Sequence, residues 1–265
     1  MGSAAAFFDL DRTLMAGSSA FAFAREAYRS GLMSRRQIVG GALANLAFRL
    51  QGSTDQSTDE LRDRVGGALR GIAVRDIRRM GPGILTEVLP RVYPQMLREA
   101  WRHQDEGRPV YIVTASSQEM ADLVAGALLF DGALGSGWEK EDGAYTGRAL
   151  EPFTYREGKA EAMRELATRE GYDLDASYAY SDSESDLPML RAVGNPVAVN
   201  PDAELARVAH EEGWRTIRFE RLRRRLFVAS GAVAAVALGG GARVALQRRR
   251  QLPPASRLRR AVVRR

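Results

Sequence analysis

Ala4-Ala5-Ala6-Phe7-Phe8-Asp9-Leu10-Asp11-Arg12-Thr13-Leu14 is the stretch that decides the fold. A short apolar run of this kind reads as a buried strand, and it ends on two carboxylates one residue apart. In an open parallel sheet, ligands bind in the crevice at the carboxyl ends of the strands, so Asp9 and Asp11 stand at the mouth of a site. Alternation along extended backbone points their side chains to opposite sides, which gives them different jobs. A lone Asp-x-Asp is more simply a strand ending in a polar turn. The rest of the chain changes that reading.

Downstream of Leu14 the pattern turns helical. Residues 17–28, 34–50, 58–69 and 74–104 carry apolar residues at i, i+3, i+4 spacing, as at Leu43, Leu46, Ala47 and Leu50, with no strand signal between them. This predicts a helical module inserted after the first strand; helices that merely cover one face of the sheet are the other reading. Gly107-Arg108-Pro109 then breaks the pattern, and Val110-Tyr111-Ile112-Val113 predicts a second strand ending at Thr114. A helix is expected at 118–129, strands at 133–139 and 144–149 around a Glu141-Asp142-Gly143 turn, and a helix opening at Lys159. Ser177-Tyr178-Ala179-Tyr180 predicts a third strand, followed by Asp182-Ser183-Glu184-Ser185-Asp186, and two further strands are expected at 196–199 and 214–219. Strands alternating with helices make this an α/β chain with a doubly wound parallel sheet.

Composition narrows the chemistry. With 45% hydrophobic and 27% charged residues the chain is globular, and with no cysteine it has no disulfide, thiolate metal site or cysteine nucleophile. Two histidines, His103 and His210, leave little room for histidine triads or zinc clusters. Catalysis therefore falls to carboxylates, lysine and hydroxyls, with a hard cation if any metal takes part. The formal charge of +6 is unevenly spread: residues 215–265 hold fifteen arginines against one acid, Glu220, a balance of +14 that leaves −8 for residues 1–214.

The polar residues at strand ends form one set: Asp9 and Asp11, Thr114, Asp182 and Asp186, with Lys159 from a helix start. Four carboxylates converging on a point repel strongly, which implies a bound cation, and all-oxygen ligation suits Mg²⁺. Mg²⁺, a lysine, a hydroxyl and helix N-termini together suit a dianionic phosphate, and a carboxylate aimed at its phosphorus can form an aspartyl-phosphate. Individually, Asp182 and Asp186 also suit N-cap and first-turn positions, and Lys159 suits a solvated helix face.

In this order and setting, Asp9-Leu-Asp11-Arg-Thr13, Thr114, Lys159 and Asp182-Ser-Glu-Ser-Asp186 resemble the four motifs of the haloacid dehalogenase-like (HAD) hydrolases, in the phosphoserine-phosphatase-like branch, subfamily IB. The resemblance covers about residues 4–219, and a helical insertion after the first motif corresponds to the family's type-one cap. It implies a HAD-like Rossmannoid core with Asp9 as nucleophile and Asp11 as the acid and then the base. It further implies Mg²⁺ between the Asp9 carboxylate, the Asp11 carbonyl and Asp182, with Asp186 and Thr13 in support, and phosphate oxygens on Thr114 and Lys159. Two positions depart from phosphoserine phosphatases. Ser18 stands where they carry a glutamate for the substrate ammonium, and Arg64 stands in a setting like that of their carboxylate-binding arginine. The motif around Asp182 also has Ser181 in place of a glycine.

Near the end of the sequence lies an apolar run, 226–246, uncharged for about 17 residues and flanked by arginines, at the low edge of a bilayer span. It is read as a transmembrane or anchor helix, with a fully buried core helix as the other reading. The expected division is a catalytic core over 1–16 and 105–219, a helical cap over 17–104, a basic linker at 220–225, the apolar helix at 226–246 and a basic disordered tail at 247–265. No secretory signal pattern opens the chain, so a cytoplasmic body anchored to the cell membrane is expected. The leading expectation is a membrane-tethered Mg²⁺-dependent phosphatase acting on a small phosphorylated metabolite or phosphorylated lipid precursor. The alternatives are a soluble phosphoserine phosphatase and a non-catalytic module whose arginine tail binds anionic lipid or nucleic acid. Nucleic acid is not the expected partner, because the body is acidic and the tail lacks aromatic interleaving.

Overall fold

A computed structural model of the chain describes residues 2–34 and 55–219. The predicted helix at 34–50 falls almost wholly outside them, and so do the linker, the apolar run 226–246 and the tail. Among the described residues no helix is long and apolar enough to cross a membrane.

Six strands form the main sheet: β1 (Ala6–Asp9), β2 (Val110–Ser117), β3 (Gly132–Ser136), β6 (Tyr178–Ser181), β7 (Asn195–Val199) and β8 (Arg215–Ile217). A two-stranded sheet pairs β4 (Trp138–Glu141) with β5 (Ala144–Ala149). The main order is β3-β2-β1-β6-β7-β8, and every pairing in it is parallel. The motif strand β1 is therefore central, and all four of its residues are buried, as an unbroken apolar strand covered on both faces requires. Its two phenylalanines divide the faces. Phe7 packs in a cluster with Met163 and Leu166 of helix α7 (Glu157–Glu170), Met189 and Leu190 of α8 (Leu187–Arg191), and Leu205 and Ala209 of α9 (Ala203–Glu211). Phe8 faces the other way, stacked on Tyr180 with ring centroids 4.2 Å apart and edge-on to His103 of helix α5 (Pro94–Asp105).

Register puts the polar ends together. Phe8 pairs with Ile112 and Tyr180, and Asp9 pairs with Val113. Asp9 and Ser181 thus end adjacent strands at one height, and Thr114 lies one residue further along on β2, which continues to Ser117, with neighbouring strands about 4.8 Å apart. Along the inserted region the described helices are α1 (Ser19–Arg29), α2 (Asp55–Leu69), α3 (Val74–Arg79) and α4 (Gly81–Val88), followed by a 3₁₀ turn at Leu89–Arg91 and then α5. The helical stretch expected over 74–104 is therefore four pieces. Pro82, Pro90 and Pro94 each open a new segment, because proline fits a helix start and disrupts an interior.

The strand expected at 133–139 is two. β3 joins the main sheet, the chain leaves it at Gly137, and β4 turns into the hairpin through Asp142 and Gly143, both with positive φ. Alternation runs on through both strands, so periodicity conceals the change of sheet. The hairpin also reaches back to the inserted helices. Gly71 N–H donates to the Tyr145 carbonyl, Tyr145 N–H to Ile72 and Val74 N–H to Gly143. Helix α2 meets it at glycines: a Cβ on Gly66 would overlap the Gly147 carbonyl oxygen.

Candidate active site

Lys159, on the first turn of α7, is buried between two carboxylates. Its Nζ donates to Asp9 Oδ1 at 2.6 Å and to Asp186 Oδ2 at 2.7 Å. Burial opposes the ammonium, but Asp186 and Asp9 outweigh it and hold the group protonated well above the ordinary lysine range. Asp9 is pushed up to about 7, first by burial; Lys159 opposes that rise, and the charges of Asp186 and Asp11 add to it. Asp182 is pushed up to about 8, again first by burial and then by Asp9, with Arg12 opposing.

Asp11 points elsewhere. The chain turns tightly after β1, with Leu14 and Met15 both donating to the Leu10 carbonyl and Arg12 at φ 64°. This turn delivers the Asp11 carboxylate to the start of α1, where Ser18 Oγ donates to Oδ2 at 2.9 Å and the Ser19 N–H to Oδ1 at 2.7 Å. The two acids of the opening motif thus have separate partners: a buried ammonium for one, a helix N-terminus for the other. Thr114 is buried one step beyond the residue that pairs with Asp9, and its Oγ1 accepts from the Ser116 N–H. Thr13 is buried, with Oγ1 3.5 Å from Asp182 Oδ1. Asp182 is also fixed through its backbone, since its carbonyl accepts from Asp202 N–H, and Asp202 caps α9.

The donor set fits Mg²⁺. Asp9 and Asp182 are buried carboxylates lifted to about 7 and 8, so the site is short of positive charge, and its donors are oxygen. Among the described residues no group of three or more His, Cys, Asp or Glu side chains is arranged as a metal cage. The implied set is two carboxylates and the Asp11 carbonyl, and Mg²⁺ ordinarily keeps several waters beside so few protein ligands.

Several participants escaped the sequence reading. Arg12 pairs with Asp182, Nε to Oδ2 at 2.9 Å. Ser181 donates to Asp186 Oδ2 at 2.7 Å, so the residue replacing the usual glycine takes part in holding Lys159's partner. Ser19 Oγ lies 2.9 Å from Ser116 Oγ, tying α1 to the end of β2. Ser18, marked as a possible substrate contact, has its hydroxyl proton committed to Asp11. Arg64 lies exposed on α2. Arg62, two residues earlier, is the arginine directed at the core: it meets Glu151 at 3.2 Å and sits 5.4 Å over the Phe153 ring, its Nε buried without a partner. Residues two apart on a helix differ by roughly 200° in direction, so spacing alone cannot choose between them.

The family model described as haloacid dehalogenase-like hydrolase matches residues 6–191. Phosphoserine phosphatase SerB1 of Mycobacterium tuberculosis is 38% identical over 252 residues, covering 94% of this chain and 82% of the relative. A Streptomyces azureus protein named for inhibition of morphological differentiation is 37% identical over 219 residues, covering 82% and 79% respectively. A crystal structure of a Bordetella pertussis protein of unknown function superposes with a TM-score of 0.71 at 27% identity, covering 82% of this chain and 99% of that one. With its motif residues gathered at the ends of a parallel sheet in this way, the chain belongs to the haloacid dehalogenase-like hydrolases.

Proposed function

We propose that this hydrolase removes phosphate from a small phosphorylated metabolite through an aspartyl-phosphate on Asp9. The observation that carries the reading is the separation of the two acids. Asp9 is buried against Lys159, while Asp11 is held apart by Ser18 and Ser19. An Asp9 oxygen attacks phosphorus as the ester P–O bond breaks, and Asp11 gives its proton to the leaving oxygen. Water then attacks the phosphorus and passes a proton to Asp11, the bond to Asp9 breaks, and phosphate departs. Thr114 and Lys159 hold phosphate oxygens. Asp9, the Asp11 carbonyl and Asp182, with Asp186 and Thr13 behind them, would hold Mg²⁺, which when bound supplies positive charge against the phosphoryl oxygens. Residues 17–104 act as the cap that shelters these steps, and residues 226–246 tether the body to a membrane.

The relative named phosphoserine phosphatase supports a small amino-acid-like ester. Phosphoserine itself is disfavoured by Ser18, since a hydroxyl turned onto Asp11 offers no anion for an ammonium. A phosphorylated lipid precursor is the second reading, and the apolar run 226–246 favours it.

The test is phosphate release from a panel of phosphate esters, phosphoserine included, with and without Mg²⁺, for the wild type and Asp9→Asn. The reading requires Mg²⁺-dependent release that the variant lacks; equal rates for the two proteins refute it. Detergent-free fractionation of the full chain against a version ending at Phe219 tests the tether, which fails if both stay in the supernatant.

A further inference from the structure

We propose that Ser18 is a positioning residue for Asp11, holding its carboxylate in the orientation from which it exchanges protons with the leaving group and the water. The inference rests on the phosphatase reading above and concerns how Asp11 is held during its two proton transfers.

The hydroxyl is buried and fully used. It donates to Asp11 Oδ2 at 2.9 Å and accepts from the Ala20 N–H at 3.3 Å, so it caps α1 and clamps the acid at once. The other carboxylate oxygen, Oδ1, receives the Ser19 N–H at 2.7 Å. Both carboxylate oxygens therefore accept a hydrogen bond from the start of α1, and the two bonds together fix the plane and direction of the Asp11 carboxylate. The clamp is braced in turn, because Ser19 Oγ meets Ser116 Oγ on the strand that carries Thr114. With Ser18's hydrogen bond lost, Asp11 keeps a single tether and can rotate about it.

p-Nitrophenyl phosphate separates the two proton transfers. Nitrophenolate leaves with its electron pair and needs no proton, so transfer of phosphoryl to Asp9 proceeds without help from Asp11. The second step does need help: Asp11 takes a proton from the water whose oxygen bonds to phosphorus as the phosphorus–Asp9 bond breaks. Ser18→Gly suits the experiment, since glycine retains most of the N-cap preference and removes only the hydroxyl. In stopped flow with Mg²⁺ present, Ser18→Gly should release about one nitrophenolate per active site in a burst, then turn over roughly ten- to hundredfold more slowly than wild type, the effect of one lost hydrogen bond to a charged group. Ser18→Thr should restore the rate and abolish the burst, and Asp11→Asn should reproduce it. Wild-type turnover by Ser18→Gly overturns the proposal. So does a loss of rate that comes without a burst and is not rescued by threonine, which would assign Ser18 to helix capping alone. If the wild type is no faster than Asp9→Asn, the phosphatase reading itself falls and takes this one with it.

Discussion

Arg12 and Asp182 meet across the loop that follows β1, Nε to Oδ2 at 2.9 Å, yet the pair does not neutralise the site. The Arg12 side chain is 49% exposed and screened by water, and Asp182 is still pushed up to about 8 by burial and by Asp9. A carboxyl whose folded pKa lies above its unfolded value opposes folding progressively as pH rises from about 4 to 8. Asp182→Asn should therefore make the metal-free protein more stable than wild type at pH 8, by about 1–3 kcal/mol. The same variant should lose most of the stabilisation that Mg²⁺ gives the wild type. Urea denaturation with EDTA or with Mg²⁺ measures both effects, and a variant less stable than wild type in EDTA would contradict this account.

Lys159 has the opposite sign. Its buried ammonium bridges Asp9 and Asp186, and replacing it with methionine leaves two buried carboxylates without their shared partner. Removing one member of a buried ion pair costs about 3–5 kcal/mol, so Lys159→Met should lower the urea midpoint sharply as well as stop turnover. An unchanged midpoint would mean that both acids are already neutral in the folded protein.

Behind the sheet, His103 is buried, and its tautomer follows from its partners. Arg108 Nε donates to Nδ1 at 2.7 Å, so the proton sits on Nε2 and goes to the Tyr180 hydroxyl, 2.7 Å away, which donates to Glu99 at 3.0 Å. Burial, with Arg108 and Arg102, holds His103 down to about 4. Because this folded pKa lies below the unfolded value near 6.5, the contribution is complete above pH 6.5 and is lost as pH falls from there to about 4. The loss should be on the order of 3 kcal/mol. His103→Gln cannot titrate, so the stability difference between wild type and this variant should shrink or reverse between pH 7 and pH 4.5; a difference independent of pH would refute it.

The contact between α2 and the hairpin is equally testable. Alanine is the better helix former by about 1 kcal/mol, so Gly66→Ala would stabilise a free helix. Here its Cβ would overlap the Gly147 carbonyl oxygen, and Trp138 lies 3.0 Å away on the other side. A net destabilisation of about 2 kcal/mol is expected, as for other overpacked sites. Thermal melts would decide it, and a raised melting temperature would show that the helix lifts off the hairpin without cost.

What the sequence disclosed and what it withheld divide along physical lines. The meeting of Asp9, Lys159 and Asp186 is legible because one ends a strand, one opens a helix and one follows a strand, and a parallel sheet brings such positions together whatever their separation along the chain. The direction of a hydroxyl was not legible. Ser18 and Ser181 read as departures from a pattern, and only coordinates reveal that each donates to a motif carboxylate. Helical spacing likewise does not say that Arg62 rather than Arg64 meets Glu151 and the Phe153 ring. The prolines at 82, 90 and 94 were visible breaks in the 74–104 helix, whereas the departure of the chain from the main sheet at Gly137 left no mark in the alternation.

The backbone hydrogen bonds from 71–74 to the β4–β5 hairpin carry a further consequence. Along the chain, the inserted helices and the hairpin are separated by the whole of β2, α6 (Gln118–Ala127) and β3, yet one edge is stitched to the other. Anyone exchanging these helices between relatives would need to transplant 55–79 together with 138–149. A chimera cut at the insertion points alone would carry mismatched halves of a single seam.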